Sequence, residues 1–270
     1  MSLVISQNYV LTDSTPEFPV TLDHPVIGWH SIVTPTNIAA DHEDPDFPAS
    51  NLANPATHEE WRSDDDGVQN LTVTTGYVDE IDYVGIARHN FGSAQIPVRI
   101  EDGSGNILVE EVMLPDDSPA LFRFTAQSLA SVKIRMDASS GQLPRAAVVY
   151  VGKLLVLERK IYVGHTPLPQ ARKTNVQNGR SERGNFLGRI VLGAWRETTI
   201  PLSLLSPSWY REHGGDEFLA VAAETPFFFG WRPQSYPFEI GYCWLIDDPM
   251  PVPVGPSNRI AFDLKVSGIV

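Results

Sequence analysis

Apolar residues along this chain come in short runs, several of them alternating with polar ones, and helical periodicity is scarce. Val68 to Thr75 alternates at Leu71, Val73 and Thr75. Ser131-Val132-Lys133-Ile134-Arg135-Met136 sets its apolar residues on one face and two cations on the other. Ile81 to Ala87 and Val98 to Glu101 are further strands, and Asp102-Gly103-Ser104-Gly105-Asn106 has the turn chemistry to join the latter to Ile107–Leu114 as a hairpin. Ala146 to Val151 is continuously apolar, which suits a strand buried on both faces. Further on, strands are predicted over Leu187 to Leu192, Arg196 to Leu205, Glu217 to Ala223, Pro226 to Trp231, Phe238 to Ile246 and Arg259 to Ile269. The one helical candidate is Pro207 to His213, with Ser206 as N-cap, Pro207 at the first helical position and Gly214-Gly215 ending it. Residues 1–26, with Pro16, Pro19 and Pro25, read as an arm or edge strand, and the acidic stretch 40–46 as a loop. Short strands in this spacing predict an all-β sandwich, and a parallel α/β sheet lacks its crossover helices.

Charge divides the chain. Residues 1–152 carry 7 basic and 22 acidic groups, net -15, whereas residues 153–270 carry 13 and 11, net +2. A boundary near 152–160 follows, giving an N-terminal arm (1–29), a first sandwich (30–152) and a second β domain (153–270). The overall charge of -13 disfavours general nucleic-acid binding, since an acidic surface repels phosphate. The 22 Pro and 20 Gly fit frequent turns. The single cysteine, Cys243, allows no internal disulfide and no thiolate zinc cluster, so the fold is expected to suit a reducing cytoplasm. Its aromatic neighbours predict a buried, inert thiol. The N-terminus lacks a basic leader region, and no apolar run approaches the ~20 residues of a membrane helix, so the expectation is a soluble protein with no membrane partner.

Candidate chemistry is sparse. The histidines (His24, His30, His42, His58, His89, His165 and His213) show no helical i,i+4 pair and no HExxH. Glu59-Glu60 and Asp64-Asp65-Asp66-Gly67 read either as a calcium loop without EF-hand spacing or as a solvated turn capped by its own Asp side chains. Neither a GxSxG elbow nor a GxxxxGK[ST] loop is present, and the glycines of Gly184 to Gly188 are wrongly spaced for a dinucleotide fingerprint. No catalytic, cofactor or metal residues are assigned, and the chain is expected not to be an enzyme. The basic segment 153–196 stands out. Its Arg172, Lys173, Arg180, Arg183 and Arg189, among the turn formers Asn175, Asn178-Gly179, Ser181 and Gly184, form a candidate subunit-interface loop opposite the acidic first half. DNA lining a channel and a merely solvated loop are the other two readings. The cluster Phe227-Phe228-Phe229-Gly230-Trp231, with Tyr236, Phe238, Tyr242 and Trp244, reads mainly as core, with some rings free to bury in a neighbouring subunit.

Two groups of segments carry a resemblance. Pro48-Ala49-Ser50-Asn51-Leu52-Ala53-Asn54-Pro55, Glu60-Trp61-Arg62-Ser63 and Ile81 through Gly92 resemble the entry to a discoidin-like (galactose-binding-like) jelly roll found in phage tail proteins. In that reading Trp61 anchors one end of the core, and the His89-Asn90-Phe91-Gly92 turn reverses the chain, with Gly92 supplying a positive φ. Asn175 to Glu182, Gly188-Arg189, Phe227 to Pro233 and Arg259 to Val266 resemble the C-terminal part of the same proteins, a domain similar to the tail-tube β-sandwich or barrel. The resemblance implies a siphophage distal tail or baseplate protein that forms a ring of copies of itself and joins the tail tube to hub and tail-fibre proteins. It further implies assembly in the host cytoplasm and residence at the virion's tail tip, with no cofactor and no sequence-specific nucleic acid. The discoidin-like half also admits an alternative role as a carbohydrate-binding module for host surface polysaccharide, with a glycan as partner. A phage-borne depolymerase is a third option for which no carboxylate pair is assigned.

Overall fold

The computed structural model describes residues 2–11, 19–137, 141–256 and 258–269, so Pro16 lies outside the described residues. The chain is mostly β. The first strands in chain order are β1 (Ser2–Ile5), β2 (Val26–Gly28), β3 (Ile38–Ala40), β4 (Trp61–Arg62), β5 (Val68–Thr74) and β6 (Glu80–Ala87). Next come β7 (Val98–Asp102), β8 (Ile107–Val112), β9 (Ala120–Ser128), β10 (Ser131–Asp137), β11 (Arg145–Ala146) and β12 (Val148–Gly152). The rest are β13 (Leu155–Val156), β14 (Arg172–Arg180), β15 (Phe186–Leu205), β16 (Phe227–Gly230), β17 (Ile240–Leu245), β18 (Val252–Val254) and β19 (Arg259–Ile269). Helices α1 (Pro207–Glu212) and α2 (Gly215–Ala222) lie between β15 and β16.

A sheet in the order β1-β9-β6-β12 faces one in the order β3-β5-β10-β7-β8 across a core that includes Leu71, Val73, Val84, Ile86, Phe122, Val132, Ile134 and Met136. This is the predicted two-layer sandwich. The strict alternation of β10 puts Val132, Ile134 and Met136 inside. Trp61 is fully buried in this core, its indole N–H donating to the His42 carbonyl at 3.2 Å. Asp102 organises the β7–β8 turn, its carboxylate accepting from the amides of Ser104 and Asn106, both at 2.8 Å.

The second half is one sheet in the order β13-β2-β16-β17-β19-β15-β14, with β18 added on β19. Its two ends, β13 and β14, do not meet, so the sheet is open and not a closed barrel. One face packs under α1 and α2 through Trp209, Phe218 and Ala222. The other face meets the outside of the β1-β9-β6-β12 sheet, which explains why β6 and β12 are buried residue after residue. Val149 and Val151 point into the sandwich core, while Val148 and Tyr150 point at Phe228, Ile240 and Tyr242 of the second half. The continuous apolar run at 146–151 is therefore a strand between two cores.

This junction is tightly packed. The Tyr150 ring meets Phe228 and Tyr242 edge-on at 5.5 and 5.9 Å between centroids. The hydroxyls of Tyr83, Tyr150 and Tyr242 donate to the carbonyls of His30, Pro226 and Pro55 at 2.8, 3.0 and 2.6 Å. Gly85 sits where a Cβ would lie 2.6 Å from the Phe228 ring, so only glycine lets the two sheets approach this closely.

Several expectations need correction. Of the two readings of the N-terminal stretch, edge strand holds and arm does not: β1 is an edge strand of the sandwich, parallel to β9, and β2 is an interior strand of the second sheet. Glu217 to Ala223 is mainly helix α2, not a strand: acidic Asp216 and Glu217 occupy its first turn and Phe218 and Ala222, four apart, face the core. Leu187 to Leu192 and Arg196 to Leu205 are a single strand, β15. The basic 172–180 stretch is a strand and not a loop. Gly92 does not take a positive φ; Arg88, at +58°, does, and Gly92 is required because a Cβ there would lie 2.3 Å from the Asp116 backbone. The predicted cap is as read: Ser206 accepts from the Trp209 amide, and Pro207 opens α1.

Candidate assembly interface

The strands β14 and β15 form a ribbon that leaves the body of the protein. The C-terminal part of β15, from Arg196 on, pairs with β19, but from Phe186 to Trp195 its partner is β14 alone. At ~3.3 Å per residue this free-standing part is about 33 Å long. Ser181 closes its tip: the Ser181 amide donates to the Asn185 carbonyl and its hydroxyl accepts from the Asn185 amide, at 2.9 and 3.1 Å, while Gly184 takes a φ of +82°.

The ribbon's side chains do not suit solvent. Phe186, Leu187, Ile190, Val191, Leu192 and Trp195 are 45 to 69% exposed. Opposed residues of an antiparallel pair share a face. Val176 with Val191 and Arg180 with Phe186 lie on one face, while Gln177 with Ile190 and Lys173 with Trp195 lie on the other. Register shifts at 175/176 and 179/180 leave Leu192 and Leu187 as extra residues on β15. Both faces are therefore apolar in part, and the outer edge of β14 ends the sheet with its backbone groups unpaired by a strand. A large exposed apolar surface of this kind marks an interaction site.

The five basic residues singled out from sequence fall on this ribbon. Arg172, Lys173 and Arg180 lie on β14, Arg183 in the turn and Arg189 on β15. Lys173 pairs with Glu197, which also accepts from the Trp195 indole at 3.0 Å, and the Lys173 hydrogen bond holds the Glu197 carboxyl below its usual range. Arg189 donates to Asn178 at 2.9 Å. Arg172, Arg180 and Arg183 have no ion pair among the described residues. The cations are interspersed with the apolar residues: Arg180 stands opposite Phe186, Lys173 opposite Trp195, and Arg189 next to Ile190.

A cleft of about 770 Å³ lies where the two halves meet, lined by Trp29, Trp209, Asp79, Glu80, Glu158 and Glu217 among others. Glu158 accepts from the Ser206 hydroxyl at 2.8 Å and from its amide, and lies near Arg259 and Arg159 at 3.9 and 4.0 Å. Glu80 pairs with Lys153 at 3.0 Å. Its acids are thus partly committed to structure.

The acidic patch of the first sandwich behaves as a capped turn. Asp65 accepts from the Gly67 amide and from Gln69, both at 3.4 Å, and His42 lies 3.4 Å from Asp64 and 3.8 Å from Asp65. Glu60 pairs with Arg62, whose guanidinium lies 3.8 Å over the half-buried Phe47 ring. Among the described residues, no group of three or more His, Cys, Asp or Glu is arranged to hold a metal ion. The histidines are scattered. His89 is buried, with Nε2 against the Ser118 carbonyl at 2.9 Å and Nδ1 accepting from the Phe91 amide, and burial pushes its pKa down to about 4. Burial also lowers His24 and His165. Cys243 is buried, and desolvation pushes its thiol up, as an inert core residue requires. The aromatic cluster divides: Phe227, Phe228, Phe229 and Tyr242 are core, while Tyr236, Phe238 and Trp244 remain exposed.

The apolar half of the ribbon was not read from sequence as a surface. The signal was there: a run from Phe186 to Leu192 without alternation, in a strand whose register partners are nearly all polar.

No protein-family model matches the sequence, and no curated protein matches it. Among solved structures the chain is similar to chitosan-binding module 1 of a Paenibacillus sp. IK-5 chitosanase/glucanase, at 17% identity over 45% of this chain and 98% of that one, with a TM-score of 0.38. It is also similar to the family 32 carbohydrate-binding module of Clostridium perfringens NanJ in complex with galactose, at 18% identity over 45% and 97%, TM-score 0.38. A Streptococcus pneumoniae fucose-binding module matches at 12% identity over 45% and 96%, TM-score 0.38.

Proposed function

We propose that this chain is a non-enzymatic β-sandwich assembly subunit, and that it forms a ring at the tip of a bacteriophage tail, joining the tube to hub and fibre proteins. The observation that carries the assembly reading is the β14–β15 ribbon, which displays six large apolar side chains and an open strand edge that the described residues leave exposed. Fully burying one such side chain stabilises by about 1.5–3 kcal/mol, which makes a partner the natural destination of the ribbon. The phage-tail context, and with it residence in the virion after assembly in the host cytoplasm, rests on the sequence resemblance at 48–92 and 175–266. Electron microscopy of the purified protein and of tails from the encoding phage tests it. Closed rings, and density for the chain at the tail tip, are the expected result. A chain that stays monomeric at high concentration and is missing from tails overturns it.

A second reading is carbohydrate binding by the first sandwich, the activity named for the modules described above. It is favoured by one patch, where the half-buried Phe47 ring lies under the Arg62 guanidinium, itself paired with Glu60. An aromatic face beside charged hydrogen-bonding groups suits a sugar ring and its hydroxyls. A glycan array with the full chain, with and without calcium, tests this reading. Binding that is lost on Phe47→Ala supports it, and an empty array removes it.

A further inference from the structure

Resting on the assembly reading, we propose that the tip of the ribbon of one copy seats in the cleft between the two halves of the next copy. Three observations converge on this pairing. The first is charge: the tip presents Arg180 and Arg183, with Arg189 behind them on β15, and the cleft presents Asp79 and Glu217, both exposed and without an ion pair among the described residues, beside Glu80 and Glu158. Complementary charge steers and orients an encounter of this kind.

The second is shape and chemistry. The tip is a compact turn with Phe186 beside Arg180, and the cleft carries the partly exposed Trp29 as a surface for an aromatic ring or a guanidinium plane, backed by the buried Trp209. A volume of about 770 Å³ is ample for a few inserted side chains. Trp29 is held by edge contact with Phe218, and the cleft walls belong to both halves, which the Tyr83–Tyr150–Tyr242 junction holds together. The acceptor is preorganised.

The third is direction. The tip and the cleft lie at opposite ends of one strand. Phe186 opens β15 at the tip, and Leu205 closes it at Ser206, which caps the helix bearing Trp209. At ~3.3 Å per residue those ends are about 60 Å apart. A tip therefore does not reach its own cleft, and the contact runs head to tail between copies. Heterologous contacts of this type close into rings when the rotation between copies divides the circle.

The test is charge exchange in the full-length protein, followed by sedimentation velocity at low and high salt. Arg183→Glu alone, and Asp79→Arg with Glu217→Arg, are each expected to weaken association about tenfold or more, and the triple variant to restore it. As a second readout, a mixture of Arg183→Cys and Glu217→Cys chains is expected to give disulfide-linked dimers under mild oxidation, which Cys243, being buried, does not enter. If Arg183→Glu dissociates the assembly while the cleft variant associates as wild type, the ribbon remains the contact and the cleft is not its seat. If the triple variant fails to recover and no cross-link forms, the proposal is overturned. If wild type itself stays monomeric, the assembly reading falls, and this pairing with it.

Discussion

Replacing Leu187, Ile190 and Leu192 together by threonine separates folding from assembly. These side chains are 69, 64 and 61% exposed and project from a ribbon that contacts no core. Threonine keeps a high strand propensity, so the ribbon itself is retained. Fully burying a side chain of this size is worth about 1.5–3 kcal/mol, and roughly two thirds of each remains to be buried, giving about 1–2 kcal/mol apiece. The triple variant should therefore lose about 3–6 kcal/mol of association free energy, a rise in Kd of roughly 10² to 10⁴. Its thermal unfolding should stay close to wild type, because surface substitutions away from packed features change stability by about 0.5 kcal/mol or less. Sedimentation equilibrium measures the first quantity, and calorimetry at a concentration where both proteins are monomeric measures the second. A drop in Tm of many degrees would mean that the ribbon packs on its own body. Unchanged association would mean that it is not the contact.

Other outcomes follow from the interior. His89 is held neutral, its Nε2–H donating to Ser118 and its Nδ1 accepting from Phe91, so the folded pKa near 4 lies below the unfolded value near 6.5. The unfolded chain then binds the proton first, and stability contributed by this site is present above pH 6.5 and is lost as pH falls toward 4, by about 3 kcal/mol. Denaturation midpoints for wild type and His89→Gln between pH 4 and 7 check this, and parallel curves would contradict it. Gly85→Ala should cost about 1–3 kcal/mol by overpacking Phe228, and Gly92→Ala more, since its Cβ meets backbone and not a ring that can tilt; urea titrations that rank them the other way would refute the packing argument. Cys243 should resist a thiol reagent in the folded protein and react only at the rate of unfolding, and rapid labelling in native buffer would show the site to be open.

What was readable in the sequence were the elements whose pattern and burial coincide. β10 alternates because one face is core, β12 is continuously apolar because both faces are, and α1 announces itself through Ser206 and Pro207. β9 was not seen, although it sits centrally in its sheet. Arg123 interrupts its apolar run and yet is fully buried, its guanidinium 4.7 Å from the Tyr9 ring, so a charge stood where the pattern required an apolar residue. α2 was mistaken for a strand because a short apolar run is ambiguous until its ends are known, and Gly214 at a φ of +85° is the end that decides it. The basic residues of the candidate interface were legible as a charged segment. Their placement on a paired ribbon was not, because β14 is polar apart from Val176 and owes its conformation to β15. The pairing of β2 with β13 and β16 left no local trace at all.

That last pairing has a consequence for how the protein can be taken apart. Val26–Gly28 is a stitch passed from the start of the chain into the far sheet, between two strands that are made more than a hundred residues later. Cutting at the charge boundary would pull this thread out and leave the second half with a gap in its fabric. The two halves should accordingly melt in one step, and during synthesis Val26–Gly28 has to wait for its partner strands to emerge.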